Sequence, residues 1–405
     1  MRTPNLRIRA GHPDFLDLPW DKGMAAWNHP RRLHLPKGIS RHEVRFFGYD
    51  TGIYAIKEIS TSAAQHEYRI LRGLEDLAAP AVIPVGFVER PWIAPDEEQS
   101  GAVITEYLPH AFSYRELLSG SGFGGRRDQM LDGFALLLVE LHLLGCYWGD
   151  CSLSNVLYRY DADRIAVTMV DAETAELVPE LSRARREGDL AMMVENVAGG
   201  MADIAASRGL DLAQADFTLG DDIAERYHNL WLEITHNEVI ATDERFRITE
   251  RVRRINELGF EIEDLRLRPE PGGHRLEMGV TVGGRTFHTR RLRALTGVEA
   301  TEQQARQILT DLARYRADHS KLPEDVSAIY WRASAFEPIT AAIRAQSDRL
   351  AADPVQAFCD FLHHRYILST NLGRDVPNDE AFEDWVREGQ PGYPISSRST
   401  DLPMP

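Results

Sequence analysis

Leu-His-Leu-Leu-Gly-Cys-Tyr-Trp-Gly-Asp-Cys-Ser-Leu-Ser-Asn-Val-Leu, residues 141–157, is the stretch on which the reading of this chain turns. The helical period of Arg127–Leu144 puts Met130, Leu131, Phe134, Leu137, Leu138, Leu141 and Leu144 on one broad face, and Gly145 is a natural stop. Asp150 follows, then Asn155 five residues on, then a short apolar strand. After a turn at Asp161–Arg164, a second strand, Ile165–Val170, ends in Asp171. A lone Asp-x4-Asn arises often by chance. A helix stopped by glycine, a loop carrying Asp and Asn, and a strand closed by Asp form a far more specific order.

Working outward, the chain uses arginine almost everywhere and lysine only at Lys22, Lys37, Lys57 and Lys321. Lys57 closes the strand-like run Gly-Ile-Tyr-Ala-Ile-Lys (52–57). A compact ammonium and a planar guanidinium are not interchangeable at a tight site, so a retained lysine here suggests a point charge with a task. Helix 63–74 carries Glu67 on the same face as Ile70, Leu71 and Leu74. An inward carboxylate is costly unless paired, and Lys57 is the obvious cation. Strands are expected at 33–35, 43–49, 53–59, 82–88 and 102–107, with Asp50-Thr51-Gly52 as a hairpin turn. Helical patterns resume at 187–205 and 222–239.

This order resembles the protein-kinase-like superfamily. The resemblance covers roughly residues 33–240 and implies a bilobal α+β fold, with a five-stranded antiparallel N-lobe and a helical C-lobe. It implies Asp150 as the catalytic aspartate, Lys57 as the lysine gripping the nucleotide phosphates and Glu67 as its partner. Asn155 and Asp171 match the Mg²⁺ ligands, and hard oxygen donors suit that ion. Ile-Thr-Glu-Tyr-Leu (104–108) resembles the hinge, where Glu106 and Leu108 would offer main-chain groups to ATP.

Asp-Cys-Ser-Leu-Ser-Asn (150–155) looks more like the atypical branch, meaning lipopolysaccharide kinases, RIO-type kinases and small-molecule phosphotransferases, and the departures from the usual pattern argue against a conventional Ser/Thr kinase. The first loop, Pro36–Arg41, lacks the glycine-rich pattern, so phosphate cover is expected either to come from backbone at Gly38–Ser40 or to be weak. Gly149 and Ser152 replace a conventional arginine and lysine, and Ala172-Glu173 replaces Phe-Gly after Asp171. Glu173 and Glu176 read as loop acids, with a metal-ligand role as the alternative. Gly-Ser-Gly-Phe-Gly-Gly (120–125) fits G-x-G-x-x-G but follows a helical run (114–118) rather than a strand, so it reads as a flexible connector. The whole chain is similar to an actinobacterial family of proteins of unknown function that joins a lipopolysaccharide-kinase-like region to its own C-terminal domain.

The expected organisation is an N-terminal extension (1–32), an N-lobe (33–108), a C-lobe (109–240), a C-terminal α+β domain (241–388) and a flexible tail (389–405). The C-terminal domain should hold helices at 244–258, 301–316, 336–350 and 354–370, with a strand pair around Gly283-Gly284. Residues 241–320 contain 15 arginines against 13 acids in a chain of net charge −16. Arg275, Arg285, Arg290, Arg291 and Arg293, with His274 and His288, are expected on or near that hairpin. Such a ribbon could bind phosphates or RNA, although a solvated or docking face is the commoner use.

The longest apolar stretch, Phe134–Trp148, is too short and too interrupted to span a bilayer, and the first residues, charged and without an apolar core, are not expected to act as a secretory signal. Three cysteines (Cys146, Cys151, Cys359) show neither metal-ligand spacing nor an even count for disulfides. The expected setting is the cytoplasm. The expected function is phosphotransfer from ATP with Mg²⁺ to an acceptor, small molecule or protein, that the sequence does not identify. The alternatives are a nucleotide-binding pseudokinase or scaffold whose C-terminal domain binds a protein or RNA partner, and nucleotidyl transfer.

Overall fold

The computed structural model describes residues 2–35, 41–114, 126–209, 211–212, 215–241, 243–270, 275–346 and 353–392. The expected flexible connector at 120–125, the loop residues Gly38 and Ser40, His274 and most of the expected tail lie outside these residues. The chain divides into two compact units. One comprises Met1–Gly120, Phe134–Tyr158 and Val167–Leu230; the other comprises Ser121–Gly133, Arg159–Ala166 and Trp231–Pro405.

The first unit is built on an antiparallel sheet. Its strands are β1 (Asn5–Ile8), β2 (Arg32–Leu33), β3 (Val44–Tyr49), β4 (Gly52–Ile59), β5 (Pro84–Glu89) and β6 (Gly101–Glu106), in the order β1-β5-β6-β4-β3-β2. All five strands expected from the sequence are present, and β1 adds a sixth by pairing antiparallel with β5. The stretch expected to be an extension is therefore part of the sheet. It also covers one face: Phe15, Leu18, Trp20, Met24 and Trp27 are buried against Phe47, Tyr54, Ile56, Val85, Val88 and Ile104. Glu58 holds this cover down by accepting from the Met24 backbone N–H (2.9 Å) while pairing with the buried Arg90. Helix α1 (Thr61–Asp76), capped by the Ser60 hydroxyl accepting from Ala63 N–H, turns Ala64, Glu67, Ile70, Leu71 and Leu74 inward.

After β7 (Ala111–Phe112), helix α2 (Arg127–Leu143) ends at Gly145, which takes the left-handed conformation (φ +79°). A Cβ there would collide with the Val178 carbonyl oxygen, so the tight passage needs glycine. Then come β8 (Cys146–Tyr147), a short 3₁₀ turn at Leu153–Asn155, β9 (Val156–Asp161), β10 (Arg164–Met169) and β11 (Glu176–Leu177), which pairs with β8. Helices α3 (Arg183–Ser207) and α4 (Leu219–Thr235) follow. The helical pattern expected to run to 239 stops earlier, because β-branched Val239 and Ile240 enter strand β12 (Glu238–Ala241).

The second unit contains a sheet in the order β12-β14-β13, with β13 at Ile262–Pro269 and β14 at Arg275–Val282. Helix α5 (Phe246–Glu257) precedes β13. The strand pair therefore reverses between Pro269 and Arg275, not at Gly283-Gly284 as expected. Gly283-Gly284 instead leads into helix α6 (Phe287–Thr296), where His288, Leu292 and Thr296 are buried at four-residue spacing. Helices α7 (Glu302–Asp318), α8 (Glu324–Trp331), α9 (Glu337–Gln346), α10 (Pro354–Leu372) and α11 (Asn378–Arg387) complete the unit, with a π turn at Arg332–Phe336. Helices α8 and α11 were not expected; each is short and contributes one buried tryptophan, Trp331 or Trp385.

Their core gathers Leu292, Ile308, Trp331, Phe358, Phe361 and Trp385, and includes Ala162 from the turn between β9 and β10. Asp161, beside it, caps α7. One of its carboxylate oxygens accepts from Thr301 Oγ1 (2.5 Å), Gln303 N–H (3.0 Å) and Gln304 N–H (2.9 Å). Among the described residues no helix is long and apolar enough to cross a membrane.

Candidate active site

Strand β4 points Lys57 inward at the position the sequence singled out, and α1 points Glu67 at it. Lys57 Nζ lies 2.7 Å from Glu67 Oε2 and 3.1 Å from Asp171 Oδ1. Glu67 is only 1% exposed, so its carboxylate has protein rather than water for company. Burial pushes its pKa up to about 7, against the pull of Lys57. Burial also opposes the ammonium charge of Lys57, but Glu67 and Asp171 outweigh it and lift the pKa above the usual lysine value. At Asp171, burial is overcome by Lys57 and by the Glu173 backbone N–H (3.1 Å), which hold the carboxyl below its usual range.

The loop from Trp148 to Asn155 is tied to Asp171 by a set of short bonds. Trp148 Nε1–H donates to the Asp171 carbonyl (2.9 Å), and the Thr174 hydroxyl donates to the Trp148 carbonyl (2.9 Å). Val170 N–H, one residue before Asp171, donates to the Asn155 carbonyl (3.0 Å). Asn155 Nδ2–H donates to the Asp150 carbonyl (2.8 Å), which fixes the amide and leaves Asn155 Oδ1 as a neutral oxygen donor. Lys57, Glu67, Asp171, Asp150 and Asn155 are thus brought into one connected arrangement.

The donor set suits a hard divalent cation. No group of three or more His, Cys, Asp or Glu forms a metal cage among the described residues. One carboxylate and one amide are what a Mg²⁺ needs when nucleotide phosphates and water supply its other ligands. Burial pushes the thiol pKa of Cys146 up to about 12 and that of Cys151, fully buried, well above the ordinary thiol value.

Two residues that the sequence reading missed support the loop from helix α3. Asp189, fully buried, accepts from the Trp148 N–H (2.7 Å) and the Gly149 N–H (2.8 Å). His142 Nε2 lies 3.1 Å from the same carboxylate, and His142 Nδ1 lies 2.8 Å from the Tyr227 hydroxyl. Asn196, two helical turns beyond Asp189, reaches Asp150 itself. The signal for Asp189 was available: a carboxylate on the stripe formed by Leu190, Met193 and Val197 is inward for the same reason as Glu67.

Other expected residues stand differently. The Glu106 N–H is committed to the Ile83 carbonyl (2.9 Å), so a base contact from Glu106 can come only from its carbonyl. Glu173 faces His42 Nε2 (3.1 Å) and Arg41 (3.4 Å), and Glu176 pairs with Arg185 (2.6 Å), so both loop acids are engaged by cations. In the second unit, Arg290, Arg291 and Arg293 lie on α6 rather than on a β-ribbon. They pair with Glu261, Glu324 and Glu299 respectively. Arg285 donates to the Leu258 carbonyl, and Arg275 opens β14. Of the arginines expected on or near the hairpin, Arg275 lies on β14, Arg285 just before α6, and Arg290, Arg291 and Arg293 on α6.

An antiparallel sheet whose buried lysine meets a helix glutamate, followed by an Asp–Asn loop and a strand-end Asp, makes a protein-kinase-like region. The family model described as Lipopolysaccharide kinase (Kdo/WaaP) family matches residues 52–216, and Domain of unknown function (DUF4032) matches residues 229–389. No curated protein matches the chain. A solved structure of WaaP in complex with acyl carrier protein aligns over 56% of this chain and 88% of that one, at 16% identity and a TM-score of 0.34.

Proposed function

We propose that the kinase-like region is an ATP- and Mg²⁺-dependent phosphotransferase acting on a small-molecule or protein acceptor. The observation that carries this reading is the assembled Lys57–Glu67–Asp171 cluster, with Lys57 Nζ 2.7 Å and 3.1 Å from the two carboxylates. Lys57 would orient the phosphates, and Glu67 would hold Lys57 in place. Asn155 Oδ1 and the Asp171 carboxylate would hold the metal, which when bound supplies charge neutralisation on the transferring phosphoryl group. Asp150 would accept the acceptor's hydroxyl proton. The substrate classes remain those of the sequence reading, because acceptor sites on this fold are built from variable surfaces.

The test has two arms. ATP with Mg²⁺ should raise the melting temperature of the intact chain, and Asp171→Ala should abolish that rise. Transfer from γ-labelled ATP to water, to the chain or to lysate metabolites should require Asp150 and vanish in Asp150→Ala. Stabilisation without any Asp150-dependent transfer would leave the nucleotide-binding scaffold, the reading that the poor glycine content of Pro36–Arg41 supports. Label transferred from α- but not γ-labelled ATP would instead mean nucleotidyl transfer.

A further inference from the structure

Asp150 is held from two sides by amide groups. Asn155 Nδ2 approaches Asp150 Oδ2 at 3.4 Å, a long contact secondary to its bond with the Asp150 carbonyl. The closer contact comes from helix α3, where Asn196 Nδ2 donates to Asp150 Oδ1 at 3.0 Å and to the Cys151 carbonyl at 3.1 Å. Among the described residues no cation stands within ion-pair distance of the Asp150 carboxylate. Ser152, two residues on, carries no charge and shares a hydrogen bond with Ser154 (2.9 Å).

The loop backbone is anchored apart from the Asp150 contact, in part by the second bond of Asn196, to the Cys151 carbonyl (3.1 Å). Asp189 already binds the Trp148 and Gly149 N–H groups, and Trp148 and Thr174 tie the loop to the Asp171 segment. The bond from Asn196 to Asp150 therefore adds no anchor the loop lacks. What it fixes is the rotation of one carboxylate. Both donors are neutral, so they steer the carboxylate without placing a positive charge against the group that has to take a proton.

From this we infer that Asn196 is a positioning residue for phosphotransfer, acting through Asp150 by orienting its carboxylate toward the acceptor hydroxyl. The inference rests on the reading of Asp150 given above. A misaligned base leaves nucleotide binding intact and slows only the step in which the proton moves.

The experiment uses the full chain with γ-labelled ATP and Mg²⁺, and compares wild type with Asn196→Ala, Asn196→Asp and Asp150→Ala. Asn196→Asp keeps the shape but replaces the N–H donor with a second carboxyl group about 3.0 Å from Asp150 Oδ1, which repels that carboxylate or shares its proton. Both Asn196 variants are expected to lower kcat at least tenfold. The KM for ATP and the melting-temperature rise caused by ATP with Mg²⁺ should stay near wild type. Either of two outcomes overturns the inference: kcat within twofold of wild type in Asn196→Ala, or a kcat loss matched by equal losses in nucleotide stabilisation and in melting temperature of the free protein. If Asp150→Ala turns over ATP as wild type does, the reading of Asp150 fails and this inference fails with it.

Discussion

Glu67 is a carboxylate that folding removes from water, and the consequence is a pH dependence with a definite sign. Its pKa rises from an ordinary 4.5 to about 7 in the folded chain. Between those values the folded state keeps a proton that the unfolded state has lost, so stability from this group falls as pH rises from about 4.5 through about 7. Asp171 acts in the opposite sense: its lowered pKa gives stability above its ordinary 3.8 that is lost as pH falls through its folded value. In Glu67→Gln the first contribution disappears. Urea unfolding of both proteins at pH about 5 and about 8 should show wild type losing stability relative to the variant as pH rises. A stability difference that stays constant with pH would contradict this account. Glu67 was legible in the sequence because a charged residue on an apolar helical stripe demands a partner. Asn196 was not, because an asparagine on a half-buried helix face is ordinary, and only coordinates reveal which carboxylate it meets.

At the scale of elements, the segment after Asp171 is short and heavily tied down. His66 on α1 meets the Ala175 carbonyl (2.9 Å), β11 pairs with β8, and the Val178 N–H donates to the Gly145 carbonyl (2.9 Å). Leu177 packs so close to Gly73 of α1 that a Cβ there would lie 2.5 Å from Leu177 Cδ1. The weakest point for substitution is Gly145, with φ +79° and a carbonyl oxygen where a Cβ would go. Left-handed backbone alone costs an alanine about 1–2 kcal/mol, and the collision adds to it. Gly145→Ala should therefore lower unfolding stability by about 2 kcal/mol or more in urea titrations, and a loss under about 0.5 kcal/mol would mean the passage relaxes. Long periodic helices such as α2 and α3 were legible along with the strands flanking Asp50-Thr51-Gly52. The hairpin of the second unit was misplaced because two Gly-Gly pairs compete there, Gly272-Gly273 and Gly283-Gly284. The helical spacing of His288, Leu292 and Thr296 is what breaks the tie.

Across the whole molecule, contiguity in sequence is a poor guide to which residues share a core. The aromatic residues of 1–32 cover a sheet face, though nothing in their spacing announces a strand or helix; the driving force is burial of Phe15, Trp20 and Trp27. The second unit likewise takes in 121–133 and 159–166 in addition to 231–405. Within it, the amide of Gln356 both accepts from Ala162 N–H (2.8 Å) and donates to the Ala162 carbonyl (3.1 Å), while Asp161 satisfies the N-terminal amides of α7. A helix cap of this kind is worth about 0.5–2 kcal/mol, and burying Ala162 in the core adds apolar contact. A fragment beginning at Trp231 has neither: the Gln356 amide keeps Gln304 Nε2 (3.2 Å) and Asp360 Oδ1 (3.0 Å), and the Gln304 N–H keeps the Thr301 hydroxyl, but the buried Gln303 N–H loses its acceptor, at about 1–3 kcal/mol. Against a net stability of roughly 5–15 kcal/mol for a domain, that loss is large. The 231–405 fragment should therefore unfold in urea with a broad, early transition, whereas the same region within the intact chain unfolds sharply. Asp161→Ala in the intact chain should move the midpoint of that transition in the same direction by a smaller amount. A fragment that unfolds as sharply and as late as the intact chain would mean that residues 159–166 are passengers in this core rather than part of what holds it.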